Sequence, residues 1–213
     1  MATTNATVSQ QVTMTRGQPV PSAESSGPRL APIEHPRGFK LRLAYWGMRR
    51  WMGTVMTPVK IVNARVPESL AITTSFLKFA SKGVTLDKPT QMLVADLISQ
   101  INGCMFCEDL GRAFALREKM GLDRKFDALL EFRTSPLFSE RERAALAYVE
   151  EATRNKKVTD ETFAALRRNF SEREIVEITL LGAIENFYNL TNIPLGIGSD
   201  GFCAIQRAGP SKN

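Results

Sequence analysis

Residues 93–115 read LVADLISQINGCMFCEDLGRAFA, and the fold turns on how this stretch is divided. Thr90 to Ile101 runs apolar until Asn102-Gly103 breaks it. Upstream, Asp87 followed by Pro89 is a helix start, with the aspartate as cap and proline in the first turn. A second helix is predicted to begin at Cys104 and Cys107 and to run through Phe114, Ala115, Leu116 and Met120, stopping at Gly121. Two helices meeting at a glycine thus place a CxxC pair at a helix N-terminus.

The same pattern extends outward in both directions. Ser139 with Glu142 and Ser171 with Glu174 are capping boxes that open two further helices. RAALAYVEEATR and ETFAALRRNF read as amphipathic helices between them. Leu70, Phe76, Leu77 and Phe79 suit another, ending near Gly83. The segment EIVEITLLGAIENFYNL is apolar nearly all round, as a helix buried in a core or at a subunit contact would be, so a homo-oligomer is expected. IPLGIGSDGFCAI reads as a Gly-rich, semi-extended piece in which Cys203 is a small buried hydrophobe. No segment shows sustained strand alternation, and the predicted fold class is all-α.

Ahead of this region the composition changes. Residues 1–36 are rich in Ser, Thr, Pro, Gln and Gly and are expected to form a disordered tail. Residues 37–55 form a basic aromatic arm, RGFKLRLAYWGMRRWMG and two further residues, expected to pack its aromatics on the core or on a second subunit. Residues 56–213 are the helical domain. The arm also has the composition of a membrane-surface or nucleic-acid-binding helix. One short basic stretch without a nucleic-acid motif is weak support, so no nucleic-acid partner is expected and membrane contact by the arm is the lesser reading. The net charge of +6 resides there: residues 1–70 hold nine Lys/Arg against three acids, and the remainder is balanced.

With 213 residues the chain has room for one well-buried domain. No apolar run approaches the roughly 20 residues that span a bilayer, and the N-terminus lacks a signal-like apolar region. Three cysteines are too few for a disulfide scaffold, and a close pair points to a reducing cytoplasm. A zinc site would have to recruit Cys203 and the single histidine, His35, so neither metal nor cofactor is expected.

A thiolate at a helix N-terminus is favoured by unpaired N–H groups and the macrodipole, and the spacing lets the sulfurs form a disulfide. The stretch resembles the alkyl hydroperoxidase D-like, carboxymuconolactone decarboxylase family, whose active-site segment has the form N-G-C-x-(aromatic)-C-x-D-x-H. Asn102, Gly103, Cys104, Phe106, Cys107 and Asp109 match it. The family histidine falls on Gly111, and a glutamate common in the family falls on Met92. The resemblance implies a bundle of packed helical hairpins and assembly into dimers, trimers or hexamers. It also implies thiol peroxide chemistry with Cys104 and Cys107 as catalytic residues, Cys107 attacking and Cys104 exposed to a partner.

A compensating proton relay is sought in Asp96, one turn nearer the cysteines than Met92, and in Asp109. Asp96 has a plainer reading as a cap or a solvent-facing carboxylate, and Asp109 as a charge that stabilises the first turn of its own helix. Glu108 and Glu185 share that ambiguity. The leading function is a thiol-based oxidoreductase acting on a peroxide or another small-molecule substrate and recharged by an external dithiol. The alternative is a non-catalytic helical oligomer that binds an apolar small molecule. Decarboxylation of a muconolactone-type substrate would gain nothing from a CxxC.

Overall fold

The structure, a computed structural model, describes residues 27–208 and is all-α, with no strand among those residues. Nine α-helices follow in order among them: α1 Phe39–Met52, α2 Ser69–Lys78, α3 Lys88–Asn102, α4 Met105–Arg117, α5 Asp123–Asp127, α6 Glu140–Asn155, α7 Asp160–Asn169, α8 Glu172–Asn192 and α9 Phe202–Ala208. The start signals act as expected. The Asp87 side chain accepts from Thr90 N at 2.9 Å, and both serine capping boxes close at the heads of α6 and α8.

α3 is the hub. Leu93, Val94, Leu97 and Ile98 are buried against α6 and α8, and the helix pairs with α4 as a hairpin, as α6 does with α7. Gly182 lets α8 come close: a Cβ there would sit 3.4 Å from Ile98 Cδ1 and 3.8 Å from Val149 Cγ1. At the other end of the hairpin, Gly103 has φ +74°, and Cys104 N donates to Ser99 O while Gly103 N donates to Gln100 O. This is a Schellman closure, in which a left-handed residue satisfies the last carbonyls of the helix. α4 ends the same way but earlier than predicted, because Lys119, at φ +53°, takes the left-handed position before Gly121 is reached.

Four segments take their form only in the fold. Residues 29–36 lie along the body: Arg29 N bonds Leu195 O, Ile33 N bonds Lys60 O, and Tyr45 Oη donates to Ile33 O. Residues 1–26 of the expected tail lie outside the described residues. In the basic arm, Leu41 and Tyr45 of α1 are buried, whereas Phe39, Leu43 and Trp46 face outward. α8 likewise shows an open apolar stripe, Val176, Leu180, Phe187 and Leu190, so within one chain it is not enclosed on all sides. Finally, the C-terminal piece expected to be semi-extended contains α9. Its local sequence lacks an obvious cap, and the cap is instead supplied from α4.

A Cβ at Gly103 meets no atom within 4 Å, so Gly103→Ala tests backbone conformation alone. The left-handed cost of roughly 1–2 kcal/mol should show as a lower Tm, by about 2–4 °C per kcal/mol for a chain of this size, with unchanged helicity.

Candidate functional site

Because the Schellman turn leaves only Gly103 and Cys104 between the helices, Cys104 is at once the end of the α3 closure and the N-cap of α4. Its side chain makes no capping bond, so the first-turn N–H groups of α4 and the positive helix end face the cysteine pair. Cys104 and Cys107 are joined as a disulfide, with Cα atoms 5.4 Å apart. Cys104 is the enclosed partner at 1% exposure, packed with Ile61, Phe106, Ile197 and Phe202. Cys107 is only partly buried. The accessibility expected from the family resemblance is therefore reversed, because the C-terminal segment covers Cys104.

The polar environment of Cys107 comes from α8. Asn189 Nδ2 donates to Cys107 Sγ at 3.1 Å and Asn192 Nδ2 reaches the same sulfur at 3.5 Å. Behind them, Glu185 Oε1 accepts from Asn189 Nδ2 and from Ser99 Oγ, both at 2.8 Å. Burial pushes the Glu185 carboxyl up to about 7, with the charge of Asp96 adding to it and the two hydrogen bonds opposing. Of the α8 glutamates, Glu185 is the one turned to the cysteines. Glu174 closes its capping box, and Glu177 accepts from Thr85 N and Leu86 N to hold the approach to α3.

The two aspartates considered as relays have other bonds. Asp96 is 4% exposed and accepts from Arg112 Nε at 3.1 Å and Nη2 at 3.1 Å, and from Gln100 Nε2 at 2.8 Å. None of its hydrogen bonds goes to a cysteine; it ties α3 to α4. Burial still raises its pKa, against the pull of Arg112 and Gln100. Glu108, raised by burial and by Asp96, lies 3.8 Å from Arg112. Asp109 faces away toward the C-terminus and accepts from Ser199 Oγ, Phe202 N and Cys203 N, each at 2.8 Å. Burial works against its ionisation, but these bonds outweigh it and hold the carboxyl below its ordinary value. Asp109 is thus the missing cap of α9. Burial and the adjoining Asp109 push the Cys203 thiol up to about 11, so it is neither acidic nor paired.

Where the family histidine would stand, a Cβ on Gly111 meets nothing within 4 Å. His35 lines a cleft of about 510 Å³ with Glu34, Pro36, Arg42, Tyr45, Trp46 and Arg49, apart from the cysteine helix. Among the described residues no group of three or more His, Cys, Asp or Glu is placed to hold a metal, and no helix is long and apolar enough to cross a membrane. Asn186, Asn189 and Asn192 escape a reading by motif. Their signal is a polar row at three- and four-residue spacing, with Glu185, on an otherwise apolar helix.

Comparison with known proteins gives the family. The profile of the carboxymuconolactone decarboxylase family matches residues 67–151. The uncharacterized protein YnjA of Escherichia coli K12 is 30% identical over 167 residues, covering 78% of this chain and 91% of its own. The chain therefore belongs to the carboxymuconolactone decarboxylase family, in its alkyl hydroperoxidase D-like branch. A solved Agrobacterium tumefaciens protein of unknown function, a candidate antioxidant-defence protein AhpD, is 28% identical with a TM-score of 0.58, over 63% of this chain and 93% of that one. The debrominase Bmp8 is 25% identical with a TM-score of 0.66, over 83% and 93%.

Asp109→Ala should release α9 from its cap while leaving the α3–α4 hairpin in place. The measurable consequence is faster alkylation of Cys203, by tenfold or so if the lost cap is worth about 1–2 kcal/mol. Because the Asp109 pKa is lowered in the fold, its contribution is present above the unfolded value. It should fade as pH falls below about 4, where wild type and variant should converge.

Proposed function

We propose that the protein is a thiol-based oxidoreductase whose working couple is the Cys104–Cys107 disulfide and its dithiol. The observation that carries the reading is the placement of both sulfurs at the α4 N-terminus, with two amide N–H groups directed at Cys107. Hydrogen bonds to a sulfur anion and a positive helix end both stabilise a thiolate. Cys107 is accordingly assigned as the attacking thiol and Cys104 as the resolving one.

With a hydroperoxide as substrate, Cys107 thiolate attacks the distal oxygen, the O–O bond breaks, and the alkoxide leaves with a proton from the site or solvent. The sulfur is now a sulfenic acid. Cys104 attacks that sulfur, water departs, and the disulfide forms. An external dithiol then attacks the more accessible Cys107 sulfur, is oxidised to its own disulfide, and returns both cysteines to thiols. Substrate is a small peroxide or another two-electron acceptor. The resemblance to a debrominase makes a carbon–bromine bond the second substrate to try. The reducing compartment this cycle needs is the cytoplasm, and a homo-oligomer would cover the open stripe of α8.

The test is to reduce the protein, pulse it with an organic hydroperoxide or with 2,3,4-tribromopyrrole, and follow thiol loss by alkylation and mass spectrometry. Linkage of Cys104 to Cys107 with one equivalent of oxidant consumed is the expected result. Cys107→Ser should abolish consumption, and Cys104→Ser should stop at the sulfenic acid. If both thiols stay free and no oxidant is consumed, the redox reading fails and a non-catalytic binding oligomer takes its place. Gly111→His adds a general acid–base group at a position with open space, and should speed peroxide-driven linkage at neutral pH by about tenfold or more.

A further inference from the structure

Three asparagine side chains join α6, α8, α3 and α4 in a single directed chain. Asn186 Nδ2 donates to Gly182 O at 2.9 Å and to Thr153 Oγ1 at 3.3 Å. Asn102 Nδ2 then donates to Asn186 Oδ1 at 3.0 Å and to Asn189 Oδ1 at 2.8 Å. Asn189 Nδ2 spends its two hydrogens on Glu185 Oε1 and Cys107 Sγ.

The direction is not free to reverse. Gly182 O is a backbone carbonyl and only accepts, so Asn186 must present its NH₂ group there and its oxygen to Asn102. Asn102 has two amide hydrogens, both committed to oxygens, and this leaves Asn189 with its NH₂ group turned to the sulfur. Asn189 is fully buried, where an amide in the wrong orientation would leave its polar atoms unpaired.

We infer that Asn189 is the residue that holds the Cys107 sulfur in its thiolate form, and that Asn102, Asn186 and Glu185 are positioning residues that fix the orientation of its amide. This deepens the dithiol reading by assigning the thiolate partner that Gly111 and Met92 do not supply. The asparagine of the N-G-C segment thereby acquires a role, since Asn102 sits beside the cysteines and carries the order of α8 to them.

Glu185 does more than hold the amide, because its charge changes the sulfur. Glu185 and Cys107 share one amide donor in a site that favours a single negative charge, so their titrations are coupled. The charged and titratable groups that act on Glu185 are Asp96 of α3, itself paired with Arg112 of α4, and Tyr188 on α8 itself. From α6, the neutral Thr153 meets Asn186 through its hydroxyl. Ionised Glu185 disfavours a second anion on Cys107. Burial pushes Glu185 up to about 7, so neutral pH is where the two charges compete.

The sign of this effect separates a positioning residue from a base. Glu185→Gln keeps an oxygen for Ser99 and Asn189 but removes the charge. On reduced, full-length protein without peroxide, the Cys107 thiol pKa should fall. The second inflection near neutrality should vanish from its pH–alkylation profile, and the disulfide should become easier to reduce. Asn189→Leu, close in volume but without donors, should raise the thiol pKa and slow alkylation at pH 7 by about tenfold or more. Should Asn189→Leu fail to fold, Glu185→Gln carries the test alone. Slower alkylation in Glu185→Gln would make Glu185 a proton acceptor and overturn the assignment, as would an unchanged thiol pKa in both variants. If the titrations move as stated while wild-type thiols never link under peroxide, the assignment stands and the peroxide reading is the one that fails.

Discussion

The left-handed turn at Gly103 is the constraint on which the site depends. It ends α3 and starts α4 with only Gly103 and Cys104 between them, so the cysteines cannot drift relative to the central helix. α3 is in turn buried against α6 and α8, and its last turn presents Ser99 and Asn102 to α8 at the level of the disulfide. Had a longer loop intervened, the helix end would still favour a thiolate, but nothing would hold the sulfur against Asn189.

Enclosing polar groups here is costly unless each finds a partner. Asn102 donates to the side-chain oxygens of Asn186 and Asn189, and the row is anchored on the carbonyl of Gly182, where α8 passes close to α3. The same close approach that packs Ile98 and Val149 therefore aligns the amides. Glu185 is the unbalanced member. Its carboxyl is desolvated and has no cationic partner among the described residues, since Arg112 is taken by Asp96. The fold binds more protons there than the unfolded chain does, so this group's contribution to stability diminishes as pH rises from about 4.5 to about 7.

A second, separate network seals the other side of the pair. Asp109, two residues past Cys107, caps α9, and Asp200 accepts from Thr57 N and Oγ1. Between them these carboxylates draw residues 196–203 over Cys104, which explains why the first cysteine is the covered one.

Much of this was legible in the residues. Helix starts at Asp87, Ser139 and Ser171, the break at Asn102-Gly103 and the CxxC at a helix head all follow from local chemistry, because caps and turns are settled by neighbours in the chain. The all-α class and the position of Cys104 and Cys107 were readable at that level. Partnerships between distant residues were not. Asp96 reads as an acid facing the cysteines until Arg112, sixteen positions on, takes its carboxylate; Asp109 reads as a helix dipole partner until α9 docks on it. The burial that raises Glu185 and the amide row that points Asn189 at sulfur arise only when α8 crosses α3. Spacing along a helix determines which side chains share a face, whereas desolvation and hydrogen-bond direction depend on what that face meets, and only the tertiary structure decides that.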